Sequence, residues 1–597
     1  MTRAKPPALL LPLILLAPLA CSDDSNADEV GDATDTSESE SSESNDSSSS
    51  AESSTSDSSS SDTSSSSSTD STSTDSTSTD TTDSTDSTDT TDTGEPALVL
   101  TALEPLGTYA TQVFDEGAAE IVDHHPGSQR LFVVNGADET IDVLDVSDPS
   151  SLTLVDQIDI TMWGASPNSL AVHGDLLAVA LEAVDPVDPG AVVFFDANTL
   201  EYINDLTVGV LPDMVTFSPD GAKVLLACEG QPATDYVFDP EGSIAIVDVS
   251  GDVAGLSDGD VQLADFSGYS LANLDPEVRI FGPGSSVAED LEPEYITVSS
   301  DSTTAWVTLQ ENNAIAIVDI ASASVTDIVG LGFKNHSQVG KGLDASDKDD
   351  LIAIANWPVF GMVQPDGIAS FEVGGQTFLI SANEGDARDY GDFNEEVRIK
   401  SLDLDADAFP DAAALQSDPQ IGRLNVTNTL GDIDNDGAFE RLYAFGSRSI
   451  SIWSSAGALV WDSGELIEQQ TALALPDAFN CAHDDNDAFD SRSDNKGPEP
   501  EGVTVAQLWG TPYAFVGLER IGGVMVFDLS DPHAPAFVLY DNSTRDFMGV
   551  PEDGTAGDLG PEGLHVILAA DSPIGEPLLA VANEVSGTVT VYRIVGE

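Results

Sequence analysis

One short turn recurs along this chain, and it dictates the architecture. Six times a proline is followed by an acid or an amide, one further residue and an apolar run. The copies are Pro167-Asn168-Ser169-Leu170, Pro212-Asp213-Met214-Val215, Pro293-Glu294-Tyr295-Ile296, Pro365-Asp366-Gly367-Ile368, Pro500-Glu501-Gly502-Val503 and Pro561-Glu562-Gly563-Leu564. Ala119-Glu120-Ile121-Val122 is a further copy without the proline. A second strand-like run follows each turn, and many of these end in Asn, Glu or Gln, as in V-L-L-A-C-E-G, L-I-S-A-N-E-G and L-A-V-A-N-E-V. A third ends near aspartate, as in S-I-A-I-V-D-V-S, and a more polar fourth often follows. Short Val/Ile/Leu runs broken by Gly, Asp, Pro and Asn, without long amphipathic helical patterns, read as all-β. Four antiparallel strands per unit, repeated radially, describe a single β-propeller.

The expected units start near residues 118, 167, 211, 293, 365, 440, 500 and 561, giving eight blades. Seven is the alternative, because the unit near 440, L-Y-A-F-G-S-R-S-I-S-I-W, lacks the turn and also reads as an insertion. The last unit stops after its third strand. The run A-L-V-L-T-A-L at the start of the domain supplies the missing fourth, closing the ring and removing an open edge.

The first strand of a blade lines the central channel, so the turn before it opens at a channel mouth. Glu120, Asp213, Glu294, Asp366, Glu501 and Glu562, with Asn168, are therefore expected as a ring there. Proline stiffens such a turn and glycine admits close backbone approach. Acids at strand starts also satisfy backbone N–H groups; a full ring of them is a cation site.

The opening residues M-T-R-A-K-P-P-A-L-L-L-P-L-I-L-L-A-P-L-A-C have a short basic start and an apolar stretch too short to span a bilayer. Residues 1–20 read as a lipoprotein signal peptide, with Cys21 the lipid-modified residue. Residues 21–94 are Ser, Thr and Asp with almost nothing apolar, the composition of a disordered, self-repelling tether. Residues 95–597 are the propeller domain. The formal charge of −87 excludes nucleic acid and anionic lipid as natural partners and suits cation binding. Membrane contact is expected through the lipid alone, at the bacterial outer membrane or cell surface, with the domain a monomer.

Gly431-Asp432-Ile433-Asp434-Asn435-Asp436-Gly437 has the D-x-D-x-D-G spacing of an oxygen-rich calcium loop, with Glu440 a further donor. Tyr443 stands where an EF-hand needs its bidentate glutamate, so the loop is not an EF-hand. Basic residues number only 19, yet Arg388, Arg398, Arg492, Lys496 and Arg520 fall in three dense polar loops. Arginine beside carboxylates is either an ion-pair network or an anion site. No H-E-x-x-H, G-x-S-x-G or P-loop occurs. Cys228 and Cys481 read either as buried free thiols or as a disulfide.

The texts D-L-E-P-E-Y-I, A-N-E-G-D-A-R-D-Y, D-I-D-N-D-G-A-F-E, F-D-S-R-S-D-N-K-G-P-E-P-E-G-V and G-L-E-R-I-G-G-V-M-V-F-D resemble the bacterial choice-of-anchor I extracellular domain. That family is similar to mesenchyme-specific cell-surface glycoproteins linked to biomineralisation in animals. The resemblance covers nearly all of residues 97 to 597 and implies a propeller at the cell surface. Some relatives carry phosphatase or phytase labels.

The expected function is a lipid-anchored, calcium-binding propeller that binds or scaffolds extracellular material. The alternative is a calcium-dependent phosphoesterase. In it Glu294, Glu501 and Glu562 hold the metal, while Arg388, Arg398, Arg492 and Lys496 hold the phosphate of a small phosphorylated substrate.

Overall fold

The computed structural model describes residues 98–234, 236–391 and 393–597. The expected signal peptide, lipidation at Cys21 and expected tether lie outside the described residues.

Among the described residues are seven four-stranded antiparallel sheets. Blade 1 is Val122–His125, Arg130–Asn135, Thr140–Asp145 and Thr153–Asp159; blade 2 is Pro167–His173, Leu176–Leu181, Pro189–Asp196 and Tyr202–Val210. Blade 3 is Pro212–Phe217, Lys223–Cys228, Ser243–Asp248 and Val261–Asp265; blade 4 is Ile296–Val298, Thr304–Leu309, Ala314–Asp319 and Ser324–Gly330. Blade 5 is Ile368–Val373, Gln376–Asn383, Ser449–Ser454 and Leu459–Asp462; blade 6 is Pro500–Leu508, Thr511–Leu518, Val524–Asp528 and Ala536–Asp541. Blade 7 is Pro561–Ile567, Leu578–Asn583, Thr588–Gly596 and, as its fourth strand, Leu100–Ala110. The first strands touch in order around a closed circuit, blade 7 meeting both blade 6 and blade 1. The fold is a β-propeller.

The strand chemistry follows from this stacking. Middle strands are covered on both faces, and Leu176–Leu181 is accordingly an unbroken apolar run, buried from its second residue on. Fourth strands form the outer rim, and Thr153–Asp159 is exposed at all but one residue. That is why fourth strands read as polar. The core is divided among seven apolar clusters, one between each pair of neighbouring blades. Between blades 4 and 5, for example, Trp306 and Ile315 meet Leu379 and Trp453, and the Trp306 indole donates to the Ser455 carbonyl at 2.8 Å.

The expected eighth unit near residue 440 is not a separate sheet. Ser449–Ser454 pairs in register with Gln376–Asn383, from Phe378 opposite Ser454 to Asn383 opposite Ser449. The apolar run at 449–454 is thus the third strand of blade 5. Residues 384–448 are an insertion whose small core around Ile399, Ile421, Leu424 and Val426 also takes in Leu343, Ala345 and Val359 from the segment before blade 5. Closure by the N-terminal run is as expected: Leu100–Ala110 pairs antiparallel with Thr588–Gly596. Cys228 and Cys481 are both buried free thiols.

Candidate functional site: a double carboxylate ring at the channel mouth

The turn acids owe their direction to a local irregularity. Pairing between the first two strands slips between Pro167 and Ser169, Pro212 and Met214, Pro500 and Val503, and Pro561 and Leu564. Asn168, Asp213, Glu501 and Glu562 fall in these bulges. A bulge leaves a residue unpaired and re-aims its side chain. The residue after the acid sets how closely blades approach. Gly367, Gly502 and Gly563 have no Cβ to collide with the backbone carbonyls of Glu501, Glu562 and Glu120, each on the next blade. Gly367 N–H donates to the Glu501 carbonyl at 3.3 Å.

A second ring accompanies the first. In an antiparallel hairpin the end of strand two lies opposite the start of strand one. The residue directly after strand two is Glu182, Glu229, Gln310, Glu384, Glu519 or Glu584 in blades 2 to 7. Blade 1 has Gly136 there.

The electrostatics show that the two rings share one space. Burial, then Glu311, pushes Asp213 up to about 6. Burial also holds Glu120, Glu294, Asp366, Glu501 and Glu562 well above the usual carboxylate range, and their acidic neighbours add to it. Those neighbours come from both rings: Glu501 feels Glu519, Glu384, Glu562 and Asp366, while Glu562 feels Glu584, Glu120, Asp366 and Asp213. Ligand oxygens of Asp366, Glu384 and Glu501 lie within 4.8 Å of one another, as do those of Glu384, Glu499 and Glu519. Oε2 of Glu501 and of Glu562 is buried without a hydrogen-bond partner.

Positive charge meets the rings directly around Glu384 and Glu499. Lys496 Nζ lies 2.7 Å from Glu384 Oε1 and 3.1 Å from Glu499 Oε2. Glu499, fully buried, also receives Arg492 at 2.8 Å and Arg520 at 3.0 Å. Burial alone would raise Glu499, but these three cations hold it well below the usual range. His483 Nδ1 stands 3.0 Å from Glu519. The five basic residues singled out from sequence therefore divide. Arg492, Lys496 and Arg520 gather around Glu499. Arg388 is bound to Asp290 at 2.5 Å and Glu292 at 2.6 Å, its guanidinium over the Phe281 ring. Arg398 pairs with Asp494 at 2.8 Å, an acid it shares with Arg423.

Asp432, Asp434, Asp436 and Glu440 bring ligand oxygens within 4.8 Å of one another on the exposed insertion. Gly431, Asn435 and Gly437 turn the loop through positive φ. Asp432 accepts from the backbone N–H groups of Asp436 and Gly437 at 3.1 and 3.0 Å, and Glu440 from that of Ile433 at 2.7 Å.

Two residues of the site lay outside the sequence reading. Glu499 sits between Pro498 and Pro500, outside the repeating positions. Glu311 follows Gln310 and matches no ring position. The second ring did have a signal, the Glu or Gln that closes so many second strands.

The model of the choice-of-anchor I domain matches residues 120–532, most of the chain. The chain belongs to the choice-of-anchor I family. Among curated relatives of this choice-of-anchor I chain, Gigasin-3a of Magallana gigas is 29% identical over 194 residues, covering 31% of the chain and 68% of the relative. The mesenchyme-specific cell surface glycoprotein of Strongylocentrotus purpuratus is 27% identical over 363 residues, 54% of the chain. The matched part is 42% of that glycoprotein's length. Among solved structures, Kuenenia stuttgartiensis hydrazine synthase aligns over 80% of the chain and 96% of its own, with TM-score 0.41 and 14% identity. The Cps50 β-propeller domain of Myceliophteria thermophila aligns over 83% and 100%, with TM-score 0.38 and 8% identity.

Proposed function

We propose that the protein is an exported surface module, lipid-anchored through Cys21, whose channel mouth holds calcium and binds extracellular material through it. The observation that carries this reading is the meeting of Asp366, Glu384 and Glu501 within 4.8 Å, from blades 5 and 6, with Glu501 Oε2 buried and unpartnered. Carboxylates forced together out of water need a cation or protons to offset their repulsion. The donors are all hard oxygens without thiolate or imidazole, which suits calcium over zinc. The exposed Asp432–Glu440 loop would take a structural calcium. The name of the sea-urchin relative, a cell surface glycoprotein, supports the surface location.

Thermal unfolding with calcium and with chelator tests this. A bound ion stabilises by about 2.7 kcal/mol at one hundred times its dissociation constant. Calcium should raise the transition, and Glu501→Gln should remove part of that rise. An identical transition in both buffers would refute the reading. Calcium-dependent phosphate release from phosphomonoesters, lost in Glu501→Gln, would instead assign the mouth to a phosphoesterase.

A further inference from the structure

The insertion in blade 5 and the segment before that blade enclose a cavity of about 280 Å3, none of whose residues belongs to the rings. Asn335, Ser337 and Phe360 line it from one side, Phe409, Glu440 and Arg441 from the other. Backbone pairing fixes both walls. Phe360 and Gly361 run parallel to Tyr443 and Ala444, with Phe360 N–H donating to the Leu442 carbonyl at 2.9 Å. Phe409 N–H donates to the Asp405 carbonyl at 2.8 Å, and Asp405 N–H to that of Phe439 at 3.0 Å. The polar groups of the cavity are unequally committed. Asn335 Oδ1 accepts from the Ser337 N–H at 3.0 Å and from its hydroxyl at 2.6 Å, which leaves the Asn335 NH2 group without a partner among the described residues. Glu440 Oε2 is turned away to the Ile433 N–H of the acidic loop. The Arg441 guanidinium stands 5.9 Å from the centre of the Phe360 ring and makes no hydrogen bond or ion pair with the described residues. Every other described arginine donates to a carboxylate or a backbone carbonyl.

We propose that this cavity binds a single acidic sugar at the end of an otherwise neutral extracellular glycan. Its carboxylate or sulfate would lie on Arg441 and the Asn335 amide, its ring against Phe360 and Phe409. In a chain with 106 acidic and 19 basic residues, a guanidinium left without a carboxylate is an exception that calls for an acceptor. The unpaired groups here are N–H donors, and the planar guanidinium fork matches the paired oxygens of a carboxylate or sulfate. The cavity falls at the lower edge of the size range of small-molecule sites, about 300–1,000 Å3, so it takes one ring and not an extended chain. The C–H face of a sugar ring suits an aromatic wall, and the Ser337 hydroxyl accepts from a ring hydroxyl. A run of acidic sugars would be repelled by the charge of −87, which restricts the ligand to one. Arg441 N–H donates to the Gly431 carbonyl at 3.2 Å, at the head of the Asp432–Glu440 loop. The four carboxylates of that loop repel an anion at Arg441, and calcium in the loop would offset them, so sugar and ion should each favour the other's binding. The inference gives a ligand class to the binding role proposed above, and only its calcium dependence rests on the loop holding calcium.

Isothermal titration calorimetry on the full chain tests this with glucuronate, glucose 6-sulfate, glucose and acetate, in calcium and in chelator at fixed ionic strength. At least one of the two acidic sugars should bind about tenfold or more tighter than both glucose and acetate. Arg441→Gln should lose the preference over glucose while its unfolding profile stays native, because the guanidinium holds no other group of the protein. Asn335→Asp keeps the acceptor for Ser337 and replaces the outward NH2 by an oxygen, so it should weaken the acidic sugar about tenfold or more and leave glucose unchanged. A preference for the acidic sugar retained in Arg441→Gln, or no acidic sugar bound more tightly than glucose, would overturn the proposal. Acetate bound as tightly as the acidic sugars would overturn a sugar as the ligand. Chelator should weaken the acidic sugar several-fold. A preference that Arg441→Gln abolishes but chelator leaves unchanged would uphold the sugar site and overturn its coupling to calcium in the loop.

Discussion

Replacing Lys496 by methionine separates the structural from the cation-binding role of the mouth. Methionine keeps the apolar stem and deletes the ammonium that bridges Glu384 and Glu499 at 2.7 and 3.1 Å. Breaking a buried ion pair from one side costs about 3–5 kcal/mol. Glu499 retains Arg492 and Arg520, whereas Glu384 retains only a hydrogen bond from Gln310 Nε2 at 3.0 Å. The loss therefore falls mainly on one carboxylate, at the lower end, about 3 kcal/mol in chelator. Calcium changes the balance, because ammonium and ion compete for Glu384 and repel each other. Two like unit charges about 4 Å apart repel by about 4 kcal/mol at an effective dielectric constant of 20. Calcium should thus stabilise the variant more than the native protein, narrowing the gap by about 1 kcal/mol or more. Urea unfolding at neutral pH, with chelator and with excess calcium, reads both quantities. A gap unchanged by calcium would refute a cation seat that includes Glu384. A loss under about 1 kcal/mol in chelator would refute the structural role of the lysine.

The turn glycines give a second prediction. Gly502→Ala drives a methyl group into the Glu562 carbonyl, whereas a Cβ on Gly251 meets nothing within 4 Å. The first should cost about 2 kcal/mol or more and the second under about 0.5 kcal/mol, as read by chemical unfolding. Burial raises Asp490 to about 8, with Asp344, Asp349 and Asp347 adding to it. The folded carboxyl binds its proton more tightly than the unfolded one, which titrates near about 3.9. Its contribution is therefore complete below that value and is lost as pH rises through about 8. Asn tolerates the positive φ of 67° at this position, so Asp490→Asn should gain stability on the native protein between pH 6 and pH 9. Parallel urea midpoints across that range would contradict this.

The sequence carried the ring because the turn is a local signal: proline, acid and an apolar strand occupy consecutive positions, and backbone chemistry alone makes them recur. The unit near 440 misled for the same reason. Its run S-I-S-I-W is a genuine strand, but its partner Gln376–Asn383 lies beyond an insertion, and nothing local reports that pairing. The side-chain network was less legible still. Lys496 and Glu384 are 112 residues apart, and which of several basic residues would meet which acid depends on how blades 5 and 6 stack. Glu311 was invisible because it sits one residue past the repeating position and is brought to Glu294 only by the hairpin.

The closing strand has a consequence for how the chain reaches its folded state. Thr101 bonds to the Val595 carbonyl, 494 residues along the chain. A ribosome or translocon delivers residues in order, so blade 7 cannot be completed until almost the whole domain has emerged. Until then the waiting Leu100–Ala110 segment and the open flank of blade 1 both lack partners, and unpaired strand edges invite intermolecular pairing. Closing so long a loop is also the kind of contact that sets slow folding rates. The seam between residues 100–110 and 588–596 is thus a kinetic checkpoint, where assembly finishes and where a stalled or clipped chain is most exposed to aggregation.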